Sequence, residues 1–342
     1  MTKMPVSAPN SFADSAASSS DAPILDVRNL HVHFPSGGGV FTERRFIRAV
    51  DGVSFRVFPG ETFAIVGESG CGKSTTARAI LNLVPPTSGE VYIDGHRVDR
   101  LGDEAMRPMR RLAQMIFQDP FSSLNPRMTV GGIIREPMRI FGLGSPREQK
   151  LEVMRLMETV GLNPRLMNRY PHEFSGGQRQ RIGVARALAV KPKVILCDEP
   201  VSSLDVSIQA QVVNLLQDLQ EQFGLAYVFI AHDLAVVRHI AHRVGVMYLG
   251  RIVEEAPAEQ LYTDPRHPYT KALMAAVPHP DTVRERQRDQ QPLGGEPPSP
   301  EEVFIGCRFA ERCPLADFEC FRIDPPLEGE EHRTACIRVE SE

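Results

Sequence analysis

A glycine-rich loop between a buried strand and a helix constrains the fold of this chain more than any other feature. The loop reads Gly67-Glu68-Ser69-Gly70-Cys71-Gly72-Lys73-Ser74 and fits the pattern G-x-x-x-x-G-K-S/T without a gap, with FAIV before it and TTARAIL after it. Glycines at these positions let backbone N–H groups turn inward around phosphate oxygens, and the following helix directs its positive end at the same phosphates. Lys73 is expected to reach the β- and γ-phosphates, and the Ser74 hydroxyl to bind Mg²⁺. The flanking strand and helix disfavour the alternative, a glycine-rich turn with an incidental lysine.

A second buried strand ends in two carboxylates. The segment VILC is followed by Asp198-Glu199. After a predicted helix from about Val206 to Phe223 comes the apolar segment AYVFIA. A strand, a crossover helix and a strand in this order predict a parallel sheet. An acidic residue at the end of a central strand can hold Mg²⁺ through its water shell, and Glu199 is then placed to orient and deprotonate an attacking water.

The segment Phe174-Ser175-Gly176-Gly177-Gln178 predicts a second helix end that can bind phosphate. Ser175 is expected to cap the helix, while the glycines leave N–H groups exposed at its positive end. Two such ends in one chain suggest that the second serves a partner's nucleotide. A plain serine cap after a flexible loop stays open as the alternative.

Taken together, these motifs resemble the nucleotide-binding subunits of ABC transporters. GESGCGKST resembles Walker A, FSGGQ the signature motif, with Phe174 where Leu is commoner, VILCDEP Walker B, and SSLD, which contains Asp205, the D-loop. Gln118 in MIFQDP falls at the Q-loop, His232 in IAHDL at the switch histidine, and Phe34 in HVHFP at the aromatic residue that stacks on adenine. All of them occur in family order within residues 24–255.

The resemblance implies an α/β fold: a P-loop NTPase (RecA-like) core with an antiparallel β subdomain and an inserted α-helical subdomain. Two subunits would face head to tail and enclose two ATP molecules. Glu199 resembles the catalytic base, His232 the residue that contacts the γ-phosphate, and Gln118 the third catalytic residue. The implied nucleotide-binding set is Phe34, Gly67, Ser69, Gly70, Cys71, Gly72, Lys73, Ser74, Thr75, Asp198 and Asp205, with Ser175, Gly176, Gly177 and Gln178 from the partner chain. The implied Mg²⁺ set is Ser74, Gln118 and Asp198.

A narrower resemblance is to the ATPases of oligopeptide/dipeptide importers, and to their F-type subunit. It rests on AVDGVSF, GESGCGKST, FQDPFSSLNPR and the tail segments HPYTKALMAAVP, GEPPSP and GCRFAERCP. It implies a second ATPase subunit, a D-type paralogue or a second copy, two transmembrane permeases and an extracytoplasmic peptide-binding protein. The chain would lie peripherally on the cytoplasmic face of the membrane, with residues 119–142 against the permeases and no contact with the peptide.

Composition and patterning divide the 342 residues into a leader and three further regions. Residues 1–22 are predicted as a disordered leader, 23–118 and 176–255 as the ATPase core, 119–175 as the α-helical subdomain, and 256–342 as a small C-terminal extension. No run approaches about 18 uninterrupted apolar residues, so no membrane span is expected. The leader lacks the apolar region of a secretory signal, so a cytoplasmic protein is expected. A net charge of −4 gives no support for nucleic acid as a partner.

Four of the six cysteines, Cys307, Cys313, Cys320 and Cys336, lie in the extension. Their thiolates suit iron–sulfur or zinc, but the spacing lacks the paired C-x2-C of common zinc sites. Some relatives in the importer family hold a 4Fe–4S cluster on a similar set; four free thiols in a small folded cap is the alternative. Packing is the expected role of Cys71 and Cys197. The histidines of the tail, His267 and His332, are expected at the surface.

Three alternatives to peptide import remain at this stage. The same ATPase engine could import another cargo such as nickel, because this chain contains no cargo site. A soluble ABC protein of translation or DNA repair is disfavoured by the single Walker A motif and the short helical insertion. A catalytically silent binding module is disfavoured by the presence of both Glu199 and His232.

Overall fold

The structure is a computed structural model that describes residues 22–36, 45–276, 295, 298–299 and 301–339. The predicted leader therefore lies outside the described residues, apart from its last position. The described chain forms two sheets and two sets of helices, as the α/β prediction requires.

One sheet is antiparallel and contains four strands in the order β2-β1-β4-β5. The strands are β1 (Leu25–Ser36), β2 (Arg45–Val57), β4 (Ser88–Ile93) and β5 (His96–Arg97). From Asp51 to Val57, buried and exposed residues alternate along β2, as in a half-buried strand. A turn at Pro59-Gly60 follows β2 and leads directly into the strand before the glycine-rich loop.

The central sheet has seven strands in the order β11-β10-β9-β3-β8-β7-β6. They are β3 (Thr62–Val66), β6 (Ala113–Ile116), β7 (Val194–Asp198), β8 (Ala226–Ala231), β9 (Arg243–Tyr248), β10 (Arg251–Pro257) and β11 (Arg333–Thr334). From β6 to β9 neighbouring strands are parallel, which confirms the prediction from the order strand, helix, strand. β10 and β11 are antiparallel, so the extension adds an edge strand to this sheet.

Ten α-helices cover the sheets in the described part of the chain. The helices of the core are α1 (Lys73–Ile80), α2 (Asp103–Leu112), α7 (Val206–Phe223) and α8 (Leu234–Ile240). The inserted layer contains α3 (Pro120–Ser123), α4 (Val130–Ile140), α5 (Pro146–Thr159) and α6 (Gly176–Leu188). The extension contains α9 (Ala258–Thr263) and α10 (Pro268–Ala275). The sequence Ser145-Pro146-Arg147-Glu148 predicts a helix start, and the structure confirms it, because Ser145 and Glu148 form a reciprocal capping box at the start of α5. Among the described residues, no helix combines the length and the apolar character that crossing a bilayer requires.

Two apolar clusters hold these layers together. The first lies between the two sheets, where Phe55 of β2 stacks on Phe63 of β3 with ring centroids 4.6 Å apart. The second lies between the opposite face of the central sheet and the inserted helices, and it extends to Tyr269 and Phe309 of the extension. Because both faces of β3 are packed, the loop that follows this strand starts from a fixed position.

Candidate active site

Backbone geometry at Gly72 explains why glycine is needed in the loop. Gly72 has φ +109°, and a Cβ added there would lie 2.0 Å from the carbonyl oxygen of Ala49 on β2. A Cβ at Gly67 would lie 2.1 Å from the carbonyl oxygen of Met247 on β9. The loop is therefore pressed against the backbones of two strands, and no larger residue fits at either position without displacing one of them.

Lys73 and Ser74 begin α1 and face the loop and the end of β7. Lys73 is 4% exposed, and its Nζ donates to the carbonyl oxygens of Gly67 at 2.8 Å and Glu68 at 2.9 Å. The Ser74 hydroxyl donates to Oδ1 of Asp198 at 2.6 Å. Asp198 is 1% exposed, and this burial raises the pKa of its carboxyl group. The structure thus joins Ser74 and Asp198, two members of the predicted Mg²⁺ set.

The three predicted catalytic residues meet at the carboxyl ends of neighbouring parallel strands. Gln118 follows β6, Glu199 follows β7, and His232 follows β8. Gln118 Nε2 donates to Oε2 of Glu199 at 2.9 Å, and His232 Nδ1 lies 3.3 Å from the same oxygen. Glu199 has φ +46°, a conformation that is uncommon for a residue with a side chain. This edge of the sheet is where open α/β folds bind ligands.

Ser175 and Gln178 start α6 as the sequence predicts. The Ser175 hydroxyl accepts from the Gln178 N–H at 3.3 Å, and Gln178 Oε1 accepts from the Ser175 N–H at 3.0 Å. Gly177 is buried against α7, because a Cβ there would lie 2.5 Å from Cγ2 of Ile208. Ser175 and Gln178 remain exposed in the single chain. That they serve a partner's nucleotide stays a prediction.

The remaining predicted nucleotide-binding residues lie on several elements of the described chain. Phe34 is near the end of β1, pairs with Ile47 of β2 and is 38% exposed. Asp205 is exposed at the start of α7. Ser69 and Gly70 are exposed, Thr75 is half-buried and Gly176 is half-buried beside Leu204. Adenine stacking on Phe34 stays a prediction.

The four cysteines of the extension line one small cavity together with Phe309, Ala310 and Pro325. Burial raises the pKa of Cys307 to about 11 and also raises the pKa of Cys313 and Cys320. Among the described residues, no three of these sulfurs lie within 4.8 Å of one another. The other two cysteines, Cys71 and Cys197, are buried, as expected for a packing role.

Only His31, His33 and Asp51 form such a compact group of potential metal ligands in the described part of the chain. Oδ1 of Asp51 lies 2.9 Å from Nδ1 of His31 and 3.3 Å from Nε2 of His33. Its other oxygen accepts from Arg308 and Arg251. Because two arginines already neutralise the carboxylate, the group is best explained as a junction between the β subdomain and the extension.

The expectation that His267 and His332 lie at the surface is wrong. His267 is 1% exposed and caps α10, with Nδ1 accepting from the Tyr269 N–H at 3.0 Å. Its burial lowers its pKa to about 4. His332 is 7% exposed and contacts Glu254 at 2.6 Å. The local signal for His267 was available, since it precedes a proline at the first position of a helix.

Sequence reasoning also missed the residues of the extension that contact the glycine-rich loop. Arg312 forms a bidentate ion pair with Glu68, and the Tyr269 hydroxyl accepts from the Glu68 N–H. Arg312 is 244 positions from Glu68 along the chain. No local pattern in the sequence indicates a pair at such a separation.

Comparisons with known proteins agree with this geometry. Residues 50–202 match the family described as "ABC transporter", and residues 253–320 match "Oligopeptide/dipeptide transporter, C-terminal region". The chain is 53% identical over 322 residues to the oligopeptide transport ATP-binding protein OppF of Escherichia coli (strain K12), which covers 93% of this chain and 96% of that protein. It is 49% identical over 317 residues to the oligopeptide transport ATP-binding protein AppF of Bacillus subtilis (strain 168), which covers 92% and 96%.

Solved structures of similar fold are ATP-binding cassettes. One is the cassette MJ0796 in a dimeric post-hydrolysis state bound to ADP and Pi, with a TM-score of 0.62 and 31% identity, covering 68% of this chain and 98% of that chain. Together with the two family matches, these relatives confirm the resemblance and the fold. The chain belongs to the ATP-binding subunits of ABC transporters, in the oligopeptide/dipeptide transporter group.

Proposed function

We propose that this protein is the ATP-hydrolysing subunit that energises import of oligopeptides or dipeptides within an ABC transporter. The observation that carries the proposal is the meeting of Gln118, Glu199 and His232 beside the Ser74–Asp198 pair. ABC ATP-binding proteins are ATPases, and the names of the relatives supply the cargo class.

The residues of the loop fit ATP and Mg²⁺. The Lys73 ammonium, held at the mouth of the loop, would contact phosphate oxygens, and Ser74, Asp198 and Gln118 would hold the metal. Mg²⁺, when bound, supplies charge neutralisation for the phosphoryl group. Glu199 would accept the proton of the attacking water at its carboxylate, which Gln118 fixes in place through Oε2. His232 shares that oxygen, which leaves its Nε2 for the γ-phosphate.

The proposal includes partners. The capping box of Ser175 and Gln178 is exposed, so the positive end of α6 would face a nucleotide on a second ATPase subunit, a D-type paralogue, in a head-to-tail pair. Residues 119–142 would contact the permeases, and Phe121 there is 63% exposed. An extracytoplasmic peptide-binding protein would complete the complex, with this chain peripheral on the cytoplasmic face of the membrane.

We also propose that Cys307, Cys313, Cys320 and Cys336 hold a 4Fe–4S cluster. The support is a shared cavity lined by all four thiols. Thiolates are the ligands that iron–sulfur clusters require, and the four cysteines supply the number that a 4Fe–4S cluster needs.

Purification of the native complex from its membrane, without denaturant and under anaerobic conditions, tests the proposal. Recovery with two permeases, a second ATPase and a peptide-binding protein is the expected result, with about four irons per chain. A nickel-binding protein in place of the peptide-binding protein would assign the alternative cargo. Recovery of the chain alone, or with ribosomes or DNA, would refute the transport assignment. A sample without iron would refute the cluster.

A further inference from the structure

Glu68, the second residue of the glycine-rich loop, is held at three points. Its two carboxylate oxygens accept one hydrogen bond each from Arg312, from Nη1 at 2.8 Å and from Nη2 at 3.0 Å. Its N–H donates to the Tyr269 hydroxyl at 2.9 Å, and its carbonyl oxygen accepts from Lys73 Nζ at 2.9 Å. Since Lys73 Nζ also donates to the Gly67 carbonyl oxygen at 2.8 Å, Glu68 supplies one of the two carbonyl oxygens that hold the Lys73 ammonium.

Two of the three holding groups come from the C-terminal extension. Tyr269 is fully buried on α10, and the Arg312 side chain is only 5% exposed. Arg312 also lies 3.3 Å from the Tyr248 hydroxyl. The rings of Tyr248, Tyr269 and Phe309 pack on one another with centroids 4.6 to 5.4 Å apart. This aromatic surrounding restricts the guanidinium to the position in which it meets Glu68.

The same segment of the extension lines the cysteine cavity. Arg312 directly precedes Cys313, and both Phe309 and Cys313 contribute to the cavity wall. A second connection between the extension and the loop lies beside the Arg312–Glu68 ion pair. Arg308 donates to the Leu249 carbonyl oxygen, and the N–H of the adjacent Gly250 donates to the Cys71 carbonyl oxygen at 2.8 Å. The packing around the cavity is thus connected to both Glu68 and Cys71 of the loop.

We propose that Arg312 is a positioning residue for the phosphate-binding loop, which by holding Glu68 sets the place of the Lys73 ammonium and thereby the affinity for ATP. The inference rests on the nucleotide site proposed above and is independent of the cargo and of iron at the cysteines. A bidentate, charge-assisted pair of this kind fixes direction as well as distance. An interaction that stabilises bound ATP equally in the ground state and the transition state alters KM and leaves kcat nearly unchanged.

The test compares Arg312→Met with Arg333→Met in the full chain. Methionine preserves much of the alkyl packing of Arg312 against the aromatic rings, and it removes the ion pair with Glu68 together with the contact to the Tyr248 hydroxyl. Arg333 is the matched control, because it ties the same extension to Glu255 of β10, away from the loop. For Arg312→Met we expect the Kd and the KM for MgATP to rise about tenfold, equivalent to about 1.4 kcal/mol. The kcat at saturating ATP should stay within about twofold, and Arg333→Met should change neither constant.

Two further variants keep the inference falsifiable if Arg312→Met folds poorly. Arg312→Lys retains the positive charge on a single nitrogen and should recover part of the ATP affinity that Arg312→Met loses. Glu68→Gln should lower the ATP affinity as much as Arg312→Met does. The double variant should bind ATP no more weakly than either single one, because both remove the same interaction.

Three results would overturn the inference: an affinity within twofold of wild type in both Arg312→Met and Glu68→Gln, an equal loss in Arg333→Met, or additive losses in the double variant. A wild-type chain that does not bind ATP would instead overturn the proposed function.

Discussion

Glu254 on β10 anchors the C-terminal extension, and replacing it by glutamine tests how strongly. Glu254 is 0% exposed. Its Oε1 accepts from the Arg266 N–H at 2.7 Å and contacts His332 Nε2 at 2.6 Å, while Oε2 accepts from the His267 N–H at 2.9 Å. Glutamine has the same shape but only one oxygen, so its amide NH₂ group must face at least one of these donors.

The expected loss of stability follows from these contacts. A hydrogen bond to a charged group contributes about 1.5–3 kcal/mol, and a buried donor without an acceptor costs about 1–3 kcal/mol. One lost bond and one orphaned N–H therefore destabilise the anchored segment by about 2.5–6 kcal/mol. A change of about 1.36 kcal/mol corresponds to a factor of ten. The amides released by local opening should therefore exchange about a hundredfold faster in Glu254→Gln than in the wild-type protein.

Hydrogen exchange at the amides of Arg266 and His267 is the direct assay, because these N–H groups are the donors to Glu254. The control is Glu259→Gln on α9, where the side chain is exposed. The control should leave exchange at both amides unchanged. Acceleration of less than about tenfold in Glu254→Gln, below about 1.4 kcal/mol, would refute the assigned role of the carboxylate.

Three further predictions concern the nucleotide site and the cysteines. Glu199→Gln should bind ATP normally but hydrolyse it about 10²- to 10⁴-fold more slowly, which would trap the closed dimer in a turnover assay. Replacing Cys313 and Cys320 by serine should remove visible-range iron–sulfur absorbance while ATP binding at Lys73 remains measurable. Gly72→Ala should lower the free energy of unfolding by more than the roughly 1–2 kcal/mol of left-handed strain, because its Cβ would also meet a backbone carbonyl 2.0 Å away.

Each of these has an outcome that contradicts it. Turnover near the wild-type value in Glu199→Gln would show that another group takes the proton; Glu173→Gln, an exposed carboxylate, is the control. Loss of ATP binding in the cysteine variant would show that the extension is required for the ATPase fold. Gly70→Ala is the matched control for Gly72→Ala, because Gly70 has φ +80° but its Cβ would meet nothing within 4 Å. Equal destabilisation of the two would refute the steric argument.

Features that depend on short stretches of sequence were predictable. Ser145 and Ser175 cap α5 and α6 because a cap is decided by residues three positions apart. The predicted helix from Val206 to Phe223 agrees with α7, whose apolar residues recur at helical spacing. The neighbourhood of Gln118, Glu199 and His232 followed from the family resemblance, and the parallel order of the strands provides its physical reason.

Features that depend on long-range pairing were not predictable. Arg251-Ile-Val-Glu-Glu-Ala-Pro looks like an edge strand with two solvated acids, yet Glu254 and Glu255 are both buried. A carboxylate tolerates burial only when donors surround it, and the donors to Glu254 lie up to 78 positions away. His332 was misjudged for the same reason, since its partner is fixed by the tertiary fold and leaves no trace in the residues beside it.

The extension and the phosphate-binding loop share a sheet, an apolar cluster and an ion pair, and this limits how the cysteines can act. A change in the cavity would reach Lys73 through Cys313, the adjacent Arg312 and Glu68, whose carboxylate pairs with Arg312 and whose carbonyl oxygen accepts from Lys73. Coupling through such a chain of contacts is a free energy shared by both sites, so it acts equally in either direction. If metal binding at the cysteines changes the affinity for ATP by some factor, ATP binding must change the affinity for the metal by the same factor. The cysteine cavity is therefore physically placed to respond to the nucleotide as well as to influence it.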